Sequence, residues 1–217
     1  LVGDATGLLQ IPCQYESISG YNGEGDLYYA LLDGDDVLPD VHIGRLSCRT
    51  VPELEGIVAK IVAYETAPPQ DDPAWFRRAT VVGDPYESGM TVVYVNQWVK
   101  AQLEAVGYAE VDTIWDAPFA TRMYASVNRG VSAFAYRGFY GVSGFSTGYI
   151  DNLTNGVQLP FAVLPTCESG SFASLQHCWS EAFLRNPDGG AIGGLSAAIV
   201  VASAPSAASE SGRSVAR

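Results

Sequence analysis

Two spacings of apolar residues alternate along this chain, and they predict strands and helices in turn. Short apolar runs bounded by turn residues predict strands over 79–82, 110–114, 131–136 and 159–164. Between them, apolar residues recur at helical spacing over 91–105 and 120–128, and Gly107 and Gly130 end these segments. Strands that alternate with helices form right-handed crossovers, so we predict an α/β fold with a mostly parallel sheet covered on both faces.

The same pattern divides the chain near residue 70. Segments 27–32 and 41–47 predict two β-strands joined through an acidic turn, and Thr50 with Glu53 predicts a capped helix directly after them. Pro68-Pro69 stops that helix, and a polar stretch follows. We therefore expect one unit over 1–70, a second over 74–201, and a Ser- and Ala-rich flexible tail or linker over 202–217.

The charge of the chain narrows the range of partners. Among 217 residues, 24 acidic side chains outnumber 12 basic ones, so the net charge is −12. Such a charge disfavours nucleic acid and anionic membranes, and it fits an extracellular or calcium-rich setting. No apolar run reaches about 18 residues, so we expect no membrane span. Leu1-Val2-Gly3-Asp4 begins inside what resembles a strand and its turn, so we expect the chain to be part of a longer polypeptide.

Cys167 is the residue that most needs a chemical explanation. It follows the apolar run 159–164 and precedes a Glu-Ser-Gly turn, and the carboxyl ends of parallel strands are where open α/β sheets carry their chemistry. If the strands at 79–82, 131–136 and 159–164 are neighbours, Gly138 and Cys167 share one rim of the sheet. A small buried hydrophobic role for this cysteine is equally compatible with its position. The four cysteines and two histidines are too irregularly spaced for a zinc site.

Two longer motifs resemble the gingipain family of cysteine peptidases, which is related in fold to the caspases. The first is an acidic turn followed by Pro-Asp and Ile-Gly-Arg over 39–45, with a helix ending in Tyr64-Glu65. The second is a strand ending in a cysteine, followed by further fixed positions: Cys167, Gly170, Phe172, Cys178 and Glu181. The resemblance implies a caspase-like three-layer α/β/α fold in which 1–70 completes a first subdomain and 74–201 forms the nucleophile-bearing one.

The resemblance also implies how the site would work. Cys167 would be the nucleophile acting on a protein or peptide substrate, and no cofactor would be required. Backbone N–H groups of Cys167 and of Tyr140 or Gly141 would form the oxyanion hole.

One residue of the family pattern is missing. The family carries its catalytic histidine in a Gly-His-Gly sequence, where this chain has Gly138-Phe139-Tyr140-Gly141, so Phe139 or Tyr140 takes the position of the lost histidine. Phenylalanine transfers no proton, and tyrosine, with a reference pKa of about 10, is a poor base at neutral pH.

Other residues offer partial substitutes. Arg137 would favour a thiolate without shuttling protons, and Glu168 would disfavour one. His177 is the candidate substitute base, because the loop before it could fold back over the sulfur. A histidine beside a helix start is more often a surface or capping residue.

The acidic turn raises the question of a cation. Asp33, Asp35, Asp36 and Asp40 supply oxygen ligands at a spacing that could hold calcium, which family members also bind. The segment lacks the length and terminal glutamate of a known calcium loop, and a solvated acidic turn explains it as well.

Two functions from different classes remain open at this point. The first is a gingipain-like cysteine peptidase domain with Cys167 as nucleophile and a degenerate dyad. The second is a catalytically inactive pseudopeptidase that serves as a binding or structural module. Acyl transfer by Cys167 is a third option that the residues do not separate from hydrolysis. We expect either protein to be extracellular or on the cell surface after bacterial-type export, with further domains in the same polypeptide.

Overall fold

A computed structural model describes residues 1–18, 21–174, 176–198 and 200–201 of the chain. The strands are β1 (Gln14–Ile18), β2 (Tyr21–Gly25), β3 (Arg78–Gly83), β4 (Glu110–Ile114), β5 (Ala133–Arg137), β6 (Phe161–Leu164), β7 (Gly193–Ser196) and β8 (Val200–Val201). The helices are α1 (Val51–Thr66), α2 (Pro85–Ser88), α3 (Thr91–Ala105), α4 (Phe119–Asn128), α5 (Thr147–Asp151) and α6 (Trp179–Arg185).

Five strands form a fully parallel central sheet in the order β4-β3-β5-β6-β7. The predicted neighbours β3, β5 and β6 are adjacent, with Ala79 beside Ala133 and Ala133 beside Phe161. Because parallel strands need crossover connections, the helices between them must lie over the faces of the sheet. The predicted α/β fold is therefore confirmed.

Helices cover both faces of this sheet. On one face, a buried cluster joins the strands to α4, α5 and α6 through side chains that include Phe134, Met123 and Phe183. On the other, α3 packs against β3 and buries Val92 and Val93. Alternate strand residues point to opposite faces, which is why both layers find apolar partners.

The first helix begins where its cap was predicted. Thr50 accepts a hydrogen bond from the N–H of Glu53 at 3.4 Å, and the Glu53 carboxylate accepts one from the N–H of Arg49 at 2.6 Å. The first bond satisfies an amide of the first helical turn, and the second satisfies the amide of the residue before the cap. The helix ends at Thr66, two residues before Pro68.

Two predicted strands in the first part of the chain are wrong. Residues 27–30 form a 3₁₀ turn, and of 41–47 only Leu46 pairs with another extended segment, in an isolated parallel bridge to Val2. An extended segment becomes a strand only where a neighbour takes its backbone hydrogen bonds. The structure instead has the antiparallel sheet β1-β2-β8, which the polar sequences of β1 and β2 did not signal.

Residues before the predicted boundary contact the later part of the chain directly. Asp4 and Ser47 both hydrogen-bond to Arg185 of α6, at 3.0 and 3.1 Å. The division into units 1–70 and 74–201 stays a prediction. The predicted tail over 202–217 lies outside the described residues.

Candidate functional site

Cys167 lies on a tight reverse turn just beyond β6. The N–H of Ser169 donates to the carbonyl of Thr166 at 3.3 Å, and the Ser169 hydroxyl donates to the same carbonyl at 2.8 Å. Glu168 occupies the third position of this turn with φ at 62°, a left-handed conformation that usually falls to glycine. The turn therefore holds a half-buried Cys167 side chain at the rim of the sheet under local backbone strain.

The loop after β5 approaches the same turn. Tyr140 and Cys167 form an isolated parallel bridge, and the N–H of Gly141 donates to the carbonyl of Cys167 at 2.9 Å. The hydroxyl of Thr166 donates back to the Gly141 carbonyl at 2.9 Å. Only glycine fits at 141, because φ is 55° and a Cβ would lie 2.9 Å from the Trp179 ring.

This contact corrects one predicted oxyanion donor. The amide of Gly141 is already bonded to Cys167, so it does not point into the space where a substrate carbonyl would lie. Within the part of the chain that the structure describes, the amides of Cys167 and Tyr140 donate no hydrogen bond of ordinary geometry. These two N–H groups remain the candidate donors.

Tyr140 occupies the side of the rim that faces Cys167. Paired residues of neighbouring strands project to the same face, and Tyr140 interacts electrostatically with both Glu168 and Cys167. A hydrogen bond to the Glu168 carboxylate, with smaller contributions from desolvation and charge, raises the pKa of Tyr140 to about 12. The phenol therefore stays protonated as a hydrogen-bond donor. Phe139, the other candidate position of the lost histidine, carries an exposed ring.

The structure does not bring His177 to Cys167. Its Nε2 lies 3.1 Å from the carboxylate of Asp151, at the end of α5, and both side chains are partly exposed. Among the described residues, no imidazole hydrogen-bonds to the Cys167 sulfur. Arg137 is also engaged, since its guanidinium donates to the carbonyl of Pro165 at 2.6 Å. Proton transfer at Cys167 thus lacks a partner in this arrangement.

The family resemblance aligns Asp84, at the end of β3, near an acid that helps the catalytic histidine, but in this structure Asp84 has other partners. Asp84 caps α2 by accepting from the N–H of Tyr86 at 3.0 Å, and it also accepts a hydrogen bond from the Ser143 hydroxyl. Ser143 in turn hydrogen-bonds to the buried phenol of Tyr136 at 2.8 Å. Sequence reasoning missed Ser143, because a serine in a glycine-rich loop carries no signal of its partner. The acid that would support a histidine is used to hold the loop.

The remaining motif positions serve packing. Cys178 caps α6, where its N–H donates to Glu181 at 3.0 Å, and burial raises the pKa of the Cys178 thiol to about 12. At Gly170 a Cβ would lie 2.9 Å from the Cβ of Ser196. Phe172 lies under the guanidinium of Arg45, 4.9 Å from its ring centre. These residues fix the turn around Cys167 without contacting a reacting atom.

The acidic turn does not converge on a cation site. Asp40 accepts hydrogen bonds from the N–H groups of Leu32 and Asp33 at 2.7 and 2.9 Å, and Asp36 accepts one from Leu38 at 2.8 Å. Asp33 and Asp35 complete the predicted set, yet in the described ranges no three acidic, cysteine or histidine side chains form a metal-binding group. The calcium hypothesis therefore stays a prediction.

A cleft of about 790 Å³ opens beside Gly170, the residue that follows the Cys167 turn. Its wall includes Gly170 and Phe172, the edge strand β7, and Arg45. Its size lies within the usual range for a ligand pocket, roughly 300–1,000 Å³. Cys167 itself is not among the lining residues of the cleft, which begins three residues later at Gly170.

Comparison with known proteins places these features in a family. The sequence model described as Peptidase family C25 matches residues 1–214. The chain is 26% identical over 173 residues to gingipain R2 of Porphyromonas gingivalis, which covers 75% of this chain and 23% of that protein. It is 29% identical over 194 residues to Lys-gingipain of the same organism, covering 80% of this chain and 11% of the relative.

The fold matches solved peptidases as well. The crystal structure of the Arg-specific cysteine proteinase gingipain R superposes with a TM-score of 0.73 at 25% identity, over 88% of this chain and 45% of that one. A second solved protease gives a TM-score of 0.76 at 26% identity, over 91% of this chain and 44% of the other. The chain thus spans less than half of these relatives.

None of its described helices is long and apolar enough to cross a membrane.

Proposed function

Because this chain belongs to peptidase family C25, we propose that it is a pseudopeptidase, a domain that keeps the family fold and binds polypeptide without hydrolysing it. The observation that carries the proposal is the side chain beside Cys167. A peptidase of this kind needs an imidazole there, to accept the thiol proton and later protonate the leaving amine. In this chain the position is occupied by Tyr140. Its phenol is hydrogen-bonded to the Glu168 carboxylate, which raises the pKa of Tyr140 to about 12.

The neighbouring groups support the same conclusion. His177 is paired with Asp151, and Asp84 is occupied by Ser143 and the N-terminus of α2. Glu168, the sequence neighbour of Cys167, is a carboxylate that is taken up by its hydrogen bond with Tyr140. Each group that would assist a histidine dyad therefore has another partner.

Polypeptide is the ligand class that the arrangement favours. The relatives carry names of proteinases, and the cleft beside β7 is bordered by a strand edge that could accept the backbone of an extended segment. Export to the cell surface and a place within a longer polypeptide are part of this proposal.

Hydrolysis by Cys167 is the second candidate, and one observation favours it. Cys167 lies half-buried on the turn at the rim of the sheet, and the amides of Cys167 and Tyr140 have no ordinary hydrogen-bond partner among the described residues. Such a pair of N–H groups is what an oxyanion hole requires. Under this candidate the chain is a gingipain-like cysteine peptidase whose base is not supplied by Tyr140.

Restoring a histidine separates the two candidates. We would measure peptide-bond hydrolysis by the chain and by its Phe139→His and Tyr140→His variants, with fluorogenic casein peptides as the substrate. We expect no turnover by the unmodified chain above a Cys167→Ser control, and a gain in at least one histidine variant. That gain should vanish when Cys167→Ser is added.

Two results would overturn the pseudopeptidase proposal. One is turnover by the unmodified chain that Cys167→Ser abolishes, which would establish the peptidase. In that case loss of turnover in His177→Ala would identify His177 as the base. The other is an absence of casein-peptide binding to the unmodified chain by fluorescence anisotropy, which would remove the binding role.

A further inference from the structure

The backbone shortly after Cys167 is bound by side chains from the first 50 residues of the chain. The N–H of Ala173 donates to the Glu24 carboxylate at 2.9 Å. The Arg49 guanidinium donates to the carbonyl of the next residue, Ser174, also at 2.9 Å. Two adjacent residues thus bind side chains of opposite charge. Charge-assisted hydrogen bonds of this kind are roughly twice as strong as neutral ones.

A third side chain from the same part of the chain contacts the residue before Ala173. The Arg45 guanidinium lies 4.9 Å from the centre of the Phe172 ring, in a cation–π contact. Arg45 is itself fixed, because it donates to both oxygens of Asp26 at 2.8 and 2.6 Å and its side chain is 7% exposed. Each residue of segment 172–174 therefore contacts a charged side chain from the first 50 residues.

This segment is joined to the Cys167 turn by a short stretch of backbone. The N–H of Ser171 donates to the carbonyl of Glu168 at 3.3 Å, and Glu168 is the residue with the left-handed backbone. A strained conformation persists only where the surrounding structure holds it in place. A displacement of Phe172 would move Ser171 and break its bond to Glu168. The contacts at 172–174 therefore help to hold the turn.

We propose that Glu24, Arg45 and Arg49 form a clamp that positions the Cys167 turn and thereby limits access to the thiol. Glu24, Arg45 and Phe172 also line the cleft of about 790 Å³, so the clamp fixes part of the cleft wall as well. A part of the chain that is distant in sequence thus controls how accessible the thiol is. The inference holds for either candidate function, because it concerns access to the thiol and not its chemistry.

The rate at which iodoacetamide labels Cys167 in the folded 217-residue chain tests the proposal. We expect Glu24→Ala to raise this rate at least about fivefold, because Ala173 loses its acceptor and the turn opens more often. Glu24→Gln should stay within about twofold of the unmodified chain, because its amide oxygen still accepts from the N–H of Ala173. Both variants remove the same charge, so their difference separates the bond from an electrostatic effect on the thiol.

Two controls separate local opening from unfolding. Cys48 is fully buried, so its labelling reports unfolding and should be equally slow in Glu24→Ala and in the unmodified chain. Glu16→Ala removes an exposed acid from β1, the strand that pairs with β2, and should leave the Cys167 rate unchanged.

Hydrogen exchange gives a second measurement of the clamp. The amide of Ala173 should be protected in the unmodified chain and in Glu24→Gln, and should exchange at least about fivefold faster in Glu24→Ala. Three results would overturn the proposal: an unchanged Cys167 labelling rate in Glu24→Ala, an equal acceleration in Glu24→Ala and Glu24→Gln, or an equal acceleration of Cys167 and Cys48.

Discussion

Glu168 shows how strain at a single residue marks the site. Its backbone has φ at 62°, and for a side chain other than glycine this conformation costs about 1–2 kcal/mol. The strain persists because the bonds of Ser169 close the turn and the Tyr140 phenol holds the carboxylate. This turn places Cys167 at the rim of the sheet.

The strain predicts an inverted preference between glycine and alanine. We expect Glu168→Gly to be more stable than Glu168→Ala by about 1 kcal/mol in urea unfolding, because only glycine relaxes at this φ. The control is exposed Glu55 in α1, where Glu55→Gly should be less stable than Glu55→Ala by about 1 kcal/mol. The same order at both positions would show that the turn is not strained.

Lys60 is the second residue with an unusual environment. It is buried, its ammonium donates to the carbonyls of Phe183 and Gly189 at 3.3 and 2.9 Å, and burial lowers its pKa to about 8. In the unfolded chain the pKa returns to its ordinary value of 10.5. Between these values the unfolded chain binds the proton and the folded chain does not, so stability rises with pH.

The expected gain is on the order of 2 kcal/mol between pH 7.5 and 9.5, relative to a Lys60→Met variant measured in the same way. The chain has one other lysine, Lys100, which is partly exposed and paired with Glu104, and Lys100→Met is the control that should keep the slope. Parallel pH dependences for the unmodified chain and Lys60→Met in urea unfolding would refute this assignment.

At the scale of elements, a buried ionic network attaches the first 50 residues to α6. Arg185 contacts Asp4 at 3.0 Å and Glu181 at 2.7 Å, and Ser47 donates to Glu181 at 2.6 Å. Burial tends to raise the pKa of Asp4, but the hydrogen bond from Arg49 and the charge of Arg185 outweigh it and lower that pKa. For Glu181 burial prevails and the pKa is raised.

Removing Arg185 should therefore be costly. We expect Arg185→Met to lower the free energy of unfolding by about 3 kcal/mol, because it leaves the buried Glu181 without its cation and removes one of the two cations that pair with Asp4. Arg129→Met, which breaks exposed pairs to Glu110 and Asp112, should cost less than about 1 kcal/mol. Adding Glu181→Gln should recover part of the Arg185→Met loss in urea unfolding. Equal effects of the two arginine variants would contradict the network's role.

The elements also show what sequence patterns convey. Helix α3 and strand β4 begin and end where their apolar spacing predicts, because each contains a regular pattern between clear stop signals. The segment 41–47 has the same apolar character, yet Leu46 alone finds a partner. A strand forms only when it pairs with a segment that is distant in sequence. A local apolar pattern carries no information about that segment.

At the candidate site, the sequence motif around Cys167 predicted which segments meet at the rim of the sheet. It did not predict which hydrogen bonds the side chains form there. The approach of Gly141 to Cys167 follows from the order of parallel strands. The bonds of Asp84 to Ser143 and of His177 to Asp151 depend on side-chain directions in loops, where no periodicity guides a prediction.

At the scale of the whole molecule, the structure contains no disulfide among the described residues. Cys13, Cys48, Cys167 and Cys178 are all free. We predict four alkylated cysteine peptides in a non-reducing peptide map and an unchanged urea midpoint on adding dithiothreitol. A linked Cys167–Cys178 peptide would contradict this prediction and would leave no free thiol at Cys167.

The central claim is that the Cys167 thiol has no proton-transfer partner, and its alkylation rate tests this without knowledge of a substrate. We would measure the rate of iodoacetamide labelling at Cys167 from pH 5.5 to 9.5, in the unmodified chain and in His177→Ala, by peptide mass spectrometry. We predict slow labelling at pH 6 and equal rates in the two proteins, because among the described residues no imidazole hydrogen-bonds to the Cys167 sulfur. Fast labelling at pH 6 that disappears in His177→Ala would contradict the claim and identify a working dyad.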